Sequence, residues 1–252
     1  MSVANPLPAD SRQTIAPAEV AIVVFARAPR PGRCKTRLAA AVGARRAARI
    51  YHALLSRAVA AASETAADHV YLACAPDTRD ARLHALAHRH GATRLRQPDG
   101  DLGERMHAAA RHVLRRHAAV VLLGSDQPIL DDGWFADAVA TLQRPGRAWL
   151  APTCDGGYWA LGLRHAEARP FRGPAWSTSR VAAQTEQRLR RCGWAVDRYP
   201  QRRDIDHGRD WQRLSGPTKH LLARRAVRPR AEEVSRRRSN PRRCQRAPGE
   251  RC

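Results

Sequence analysis

The sequence predicts an α/β fold in which a mostly parallel sheet is covered by helices on both faces. Ala21–Ala26 (Ala-Ile-Val-Val-Phe-Ala) and Ala118–Leu123 (Ala-Ala-Val-Val-Leu-Leu) are short, continuously apolar runs, the pattern of strands buried on both sides. Between such runs lie longer segments whose apolar residues recur every three or four positions, the period of a helix. That alternation implies strands joined through helical crossovers.

Taken in order, Ala21–Ala26 opens the sheet and runs into a Pro/Gly-rich loop. Ala47, Ile50, Leu54, Ala58 and Ala61 then trace one face of a long helix. His69–Ala73 is the next strand, and Thr78–His90 a helix with Leu83, Leu86 and Ala87 on its apolar side. Gly103–His117 is helical and leads into the strand Ala118–Leu123. Trp134–Leu142 is a helix, Ala148–Ala151 a strand, and Tyr158–Leu163 a strand after Gly156-Gly157. Ser179–Arg191 is the last helix and Trp194–Tyr199 the closing strand. No fixed-period repeat interrupts this order.

A chain of 252 residues with 43% hydrophobic content can form one large domain. Residues 20–214 carry the alternating pattern and form the expected domain, with 1–19 a disordered leader and 215–252 a disordered basic tail. The net charge of +22 is mostly arginine, since only Lys35 and Lys219 are lysine among 45 basic residues. Such an imbalance beside abundant alanine reflects GC-rich coding more than selection for nucleic acid. Within 215–252 twelve basic residues face three acidic ones, a net of +9, with little to bury. Weak, non-specific contact of this tail with nucleic acid is the most it implies, and no dedicated nucleic-acid partner is expected. No run approaches the roughly 20 apolar residues of a membrane span, and Met1–Glu19 lacks a secretory apolar core, so a cytoplasmic protein without membrane partners is expected. The six cysteines form no C-x-x-C pair and are read as free thiols.

Ligands of open α/β sheets sit beyond the carboxyl ends of strands, which selects the loops after Phe25 and Leu123. The first holds Arg27, Arg30, Arg33, Arg37 and Lys35 within eleven positions, with Lys35 and Arg37 at or just before a helix N-terminus. Backbone N–H groups there already favour anions, so a polyphosphate fits. A P-loop is excluded, because Cys34 stands where that motif needs glycine before the lysine. The second loop, Gly124-Ser125-Asp126-Gln127-Pro128, fixes an aspartate directly after a buried strand, suiting a hard divalent cation that takes carboxylate, phosphate and water oxygens. Asp155-Gly156-Gly157-Tyr158 combines a carboxylate with paired glycines that let backbone approach a ligand, although a hairpin turn uses the same residues. Asp204-Ile205-Asp206 alternates, which places both carboxylates on one side of an extended segment. His84 and His88 lack a third ligand and are read as surface residues. Ser177 or Thr178 is the natural N-cap of the last helix.

Together the segments R-x-P-x-P-G-x-x-K-T-R-L (27–38), Q-P-D-G-D-L-G-E-R-M (97–106), G-S-D-x-P (124–128), D-G-G-Y (155–158), W-S-T (176–178) and D-x-D (204–206) resemble a bacterial family. That family comprises GT-A-type glycosyltransferases similar to 2-phospholactate guanylyltransferase, associated with radical-SAM and selenoprotein clusters. The likeness runs collinearly from about Val20 to Leu214. It implies a nucleotide-diphospho-sugar transferase fold and a metal-dependent transferase acting on a nucleotide-activated donor and a small-molecule acceptor, with Mg²⁺ or Mn²⁺ as cofactor. By the resemblance, Arg27, Gly32, Lys35, Arg37, Gly103 and Ser125 bind the nucleotide, and Asp126 and Asp206 hold the metal. Asp126 and Asp155 are the implied catalytic residues, while Gly156, Gly157, Tyr158 and Trp176 shape the acceptor side. Pro128 stands where the D-x-D signature of many such glycosyltransferases has its second aspartate, so nucleotidyl transfer stays open beside glycosyl transfer, as does donor binding without turnover.

Overall fold

The computed structural model describes residues 16, 19–131 and 133–223. Seven strands, β1 (Val20–Arg27), β2 (His69–Ala75), β3 (Thr93–Arg96), β4 (Ala119–Leu123), β5 (Arg147–Pro152), β6 (Tyr158–Leu163) and β7 (Ala195–Arg198), form one sheet in the order β3-β2-β1-β4-β6-β5-β7. All neighbouring pairs are parallel except those that β6 makes with β4 and β5. Among the described residues the α-helices are α1 (Thr36–Val42), α2 (Ala44–Ser63), α3 (Ala81–His90), α4 (Leu102–Val113), α5 (Trp134–Leu142), α6 (Val181–Arg191), α7 (Gly208–Arg213) and α8 (Gly216–Ala223).

β1 shows why its sequence is apolar throughout. Val20, Ile22, Val24 and Ala26 pack on one side with Leu55 and Val59 of α2, Leu83 of α3 and Leu142 of α5. Ala21 and Val23 pack on the other with Met106 and Val113 of α4 and Leu189 of α6. Period-two alternation therefore separates two cores, not core from solvent. The chain leaves β1 for β2 on one side and later returns to β4 on the other. The switch point between β1 and β4 fixes where their following loops diverge and a ligand can enter.

β3 has no counterpart in the sequence reading, because Thr-Arg-Leu-Arg at a sheet edge is mostly exposed and has no apolar pattern. α6 starts at Val181 rather than Ser179, and its N-cap position is Arg180. Thr178 instead donates to Ala175 O and accepts from Arg180 N, closing the turn before the helix. The boundary expected at Leu214 also moves. Gly216–Ala223 is helical, and Leu222 is buried with Ile50 and Leu54 of α2 and Trp211 of α7. Burying one such leucine contributes about 1.5–3 kcal/mol, which charge counting overlooks. The remaining tail from residue 224 and the leader up to residue 15 lie outside the described residues. Cys34, Cys74, Cys154 and Cys192 are free thiols. Among the described residues no helix is long and apolar enough to cross a membrane.

Asp80 joins the β1 loop to α3. Its carboxylate caps α3 by accepting from Arg82 N at 3.1 Å and Leu83 N at 3.4 Å, and takes Arg30 Nη2 at 2.9 Å. Burial works to raise its pKa, but Arg30 and the two backbone donors overcome it and hold the carboxyl below the ordinary range. Asp80→Ala is expected to cost about 1–2 kcal/mol in urea denaturation at neutral pH. Because the folded-state pKa is the lower one, this contribution is present above the ordinary carboxylate pKa and lost as pH falls through the folded value. The gap between variant and wild type should therefore shrink in acid.

Candidate active site

At the carboxyl ends of β1 and β4 a cleft of about 580 Å³ opens, lined by residues from every loop the sequence singled out. Lys35 stands at the N-cap position of α1 in left-handed backbone, φ 48° and ψ 46°. That conformation turns its side chain inward, leaving it 5% exposed, with Nζ 2.9 Å from Asp126 Oδ1 and 3.5 Å from Asp206 Oδ1. At 2.9 Å the ammonium and the Asp126 carboxylate form a charge-assisted pair. Burial pulls the Lys35 pKa down, but Asp126, Asp206 and Asp204 together more than offset it and the ammonium is stabilised. Arg37 Nη1 reaches Asp206 Oδ2 at 3.0 Å. Burial raises the Asp206 carboxyl, yet Lys35 and Arg37 prevail and hold it below the usual range. Asp204 goes the other way. Burial and the nearby Asp126 charge push its carboxyl well above the ordinary value, against the pull of Lys35 and a hydrogen bond from Gln127.

Two side chains without a role in the sequence reading brace this arrangement. Tyr51 of α2 accepts from Arg27 N at 2.9 Å and shares a hydrogen bond with Ser125 Oγ at 3.1 Å, tying the β1 loop to the β4 loop. Gln97 donates to Ala26 O at 3.2 Å and Ala73 O at 2.7 Å, closing the ends of β1 and β2. Tyr51 is a lone hydroxyl on the apolar face of α2, and Gln97 opens the 97–106 segment without a role that sequence alone assigns. Ser177, at φ 66°, and Lys35 are the two non-glycine residues with positive φ among the described residues, and both line the cleft. Such strain gathers where the surrounding structure fixes a functional loop.

Of the residues singled out, Arg27, Lys35, Arg37, Ser125, Asp126, Asp155, Gly157, Tyr158, Trp176 and Asp206 line the cleft. Three glycines do not. Gly32, at φ 75° with open space around its Cα, shapes the tip of the β1 loop. Gly156, at φ 87°, lies against the backbone of Ser179, and its carbonyl accepts from Ala182 N at 2.9 Å. Gly103 is buried in α4, where an added Cβ would stand 2.1 Å from Phe171 O and 2.6 Å from the Trp176 ring. Gly103→Ala would raise helix propensity, yet overpacking at this spot is expected to cost a net 1–3 kcal/mol, roughly, and to move Trp176. Chemical denaturation and near-UV dichroism check both. Asp155 accepts from Gly157 N at 3.1 Å and from the Thr153 hydroxyl, so the same carboxylate forms the β5–β6 turn.

Among the described residues no group of three His, Cys, Asp or Glu is arranged to hold a metal ion. Asp126 and Asp206, with side chains 40% and 34% exposed, nevertheless converge on one cationic nitrogen in the cleft. A site that gathers oxygen ligands around a positive charge fits a hard divalent cation, provided phosphate and water supply the remaining ligands.

The chain matches the model of a family described as "Uncharacterized protein conserved in bacteria (DUF2064)" over residues 58–178. No curated protein shows significant similarity to it. A crystal structure from Desulfovibrio desulfuricans G20, assigned as a candidate nucleotide-diphospho-sugar transferase, is 27% identical, with a TM-score of 0.69 over 81% of this chain and 94% of that one. A 4-diphosphocytidyl-2C-methyl-D-erythritol synthase from Anaerococcus prevotii DSM 20548 superposes with a TM-score of 0.53 at 9% identity, covering 81% and 96% of the two chains. A cytidylyltransferase from Leptospira borgpetersenii gives 0.50 at 16% identity, over 74% and 78%. The fold is that of the nucleotide-diphospho-sugar transferases.

Proposed function

We propose that this protein is a metal-dependent transferase using a nucleotide-activated donor, with glycosyl transfer from a nucleotide sugar as the first reading. The observation that carries it is the meeting of Lys35, Asp126 and Asp206 from three separate loops in one cleft at the β1/β4 switch point. The similarity to the D. desulfuricans structure supports the donor class. In this reading Arg27, Lys35 and Arg37 hold the donor phosphates, and their positive charge stabilises the negative charge that builds on the departing phosphate. Asp126 and Asp206 would hold Mg²⁺ or Mn²⁺, which supplies further neutralisation of that charge when bound. Ser125, fixed by Tyr51, and the backbone of the β4 loop set the height of the donor in the cleft. Tyr158 and Trp176 wall the side where a small-molecule acceptor would enter.

Nucleotidyl transfer is the second reading, favoured by Asp126 being the one carboxylate within Gly124–Pro128. Gln127 donates to Asp204 and the Pro128 carbonyl accepts from Arg57 Nε at 3.1 Å, and neither residue lines the cleft. Thermal-shift measurements on the full chain with nucleoside triphosphates and nucleotide sugars, with and without manganese, separate the readings. Binding raises the melting temperature by mass action. A manganese-dependent rise with nucleotide sugars is the expected result, and a rise with triphosphates alone selects nucleotidyl transfer. No rise with either removes the donor class and the function with it.

A further inference from the structure

We infer that Lys35 is a resident counter-cation that stands between Asp126 and Asp206 in the free protein and turns to the donor phosphates on their arrival, so that divalent cation and donor bind as a coupled pair. This rests on the metal-dependent reading above and states how the same site is regulated. Lys35 Nζ lies 2.9 Å from one carboxylate and 3.5 Å from the other, so it takes the place between the two groups that would hold a metal. With its side chain 5% exposed, the ammonium cannot trade these carboxylates for water. What holds it is pairing with two carboxylates, so an anion of equal charge arriving in the cleft can take their place. The left-handed backbone at Lys35 aims the side chain from the very loop that would cradle the phosphates, and a bond rotation within the side chain suffices to redirect it.

A divalent cation entering alone must share two carboxylates with a buried ammonium, and Arg37 also holds Asp206 at 3.0 Å. A cation arriving with a diphosphate meets no such obstacle, because the phosphate draws Lys35 away and supplies ligands of its own. Linkage makes the effect reciprocal, so the donor also binds more tightly in the presence of metal.

The test uses manganese alone and manganese with inorganic pyrophosphate, the element common to nucleotide sugars and triphosphates. Free Mn²⁺ is followed by electron paramagnetic resonance and corrected for the Mn–pyrophosphate complex in solution. Lys35→Met is expected to bind Mn²⁺ alone on the order of tenfold more tightly than wild type. Pyrophosphate supplies ligands in both proteins and should strengthen Mn²⁺ binding to both, but by on the order of tenfold more in the wild type, where it also draws Lys35 away. Wild type binding Mn²⁺ alone as tightly as the variant overturns the inference while leaving the metal-dependent reading intact. Failure of both proteins to bind Mn²⁺ under either condition overturns the reading and the inference together. If Lys35→Met does not melt cooperatively, the wild-type arm decides, and absence of any pyrophosphate effect there overturns the inference.

Discussion

Asp126→Asn is expected to lower donor turnover by roughly 10²–10³-fold while the protein still melts as a cooperative unit. The substitution keeps the shape of the side chain and removes only its charge. Asp126 follows β4 closely, on a loop fixed by the Tyr51–Ser125 hydrogen bond, so the asparagine should keep the same position. Lys35 is not stranded, because Asp206 remains 3.5 Å from its ammonium. The fold should therefore survive, and the loss should fall on metal-dependent donor binding. Turnover measured against manganese concentration, beside a melting curve, distinguishes this from unfolding. Turnover and manganese dependence equal to wild type would exclude Asp126 from the chemistry.

Gly156→Ala is expected to destabilise the protein by about 3 kcal/mol and to disturb the cleft from outside it. Two terms add. The φ of 87° is costly for any residue with a Cβ, and the new atom would lie 1.9 Å from Ser179 O and 2.6 Å from Ser179 Cα. Those are backbone atoms, which cannot step aside as a side-chain tip can. Relief has to come from moving the loop that holds Ser177 and Thr178 on the cleft wall. Gly32→Ala is the control, with a similar φ of 75° but nothing within 4 Å, so it carries only the backbone cost. Urea denaturation of the two variants measures the difference. Equal losses would mean that the contact with Ser179 gives way freely.

Much of the architecture was legible because burial leaves a pattern in the residues themselves. β1, β4, α2 and α5 are buried along a face or on both sides, so their apolar spacing states both existence and type. β3 and the short helices α1, α7 and α8 left no such trace. They are short, partly exposed, or buried through one or two residues such as Leu38 and Leu222. Of the candidate site, the charged residues were legible as unusual chemistry at strand ends, whereas the glycines were not separable by role. Gly103 and Gly156 look in sequence like places for a ligand to approach, yet what approaches them is Trp176 and Ser179 of the same chain.

The sequence by itself determined the strand–helix alternation, the two strand ends that carry the loops, and the order in which basic and acidic residues enter the site. Tertiary structure alone decided that β6 runs against its neighbours, that Gln127 engages a buried Asp204, and that Lys35 points inward between carboxylates. The reason is one of range. Periodicity records which face of a segment avoids water, and that is settled within a few turns of chain. The Arg37–Asp206 pair joins residues 169 apart, and its distance depends on how the whole sheet closes.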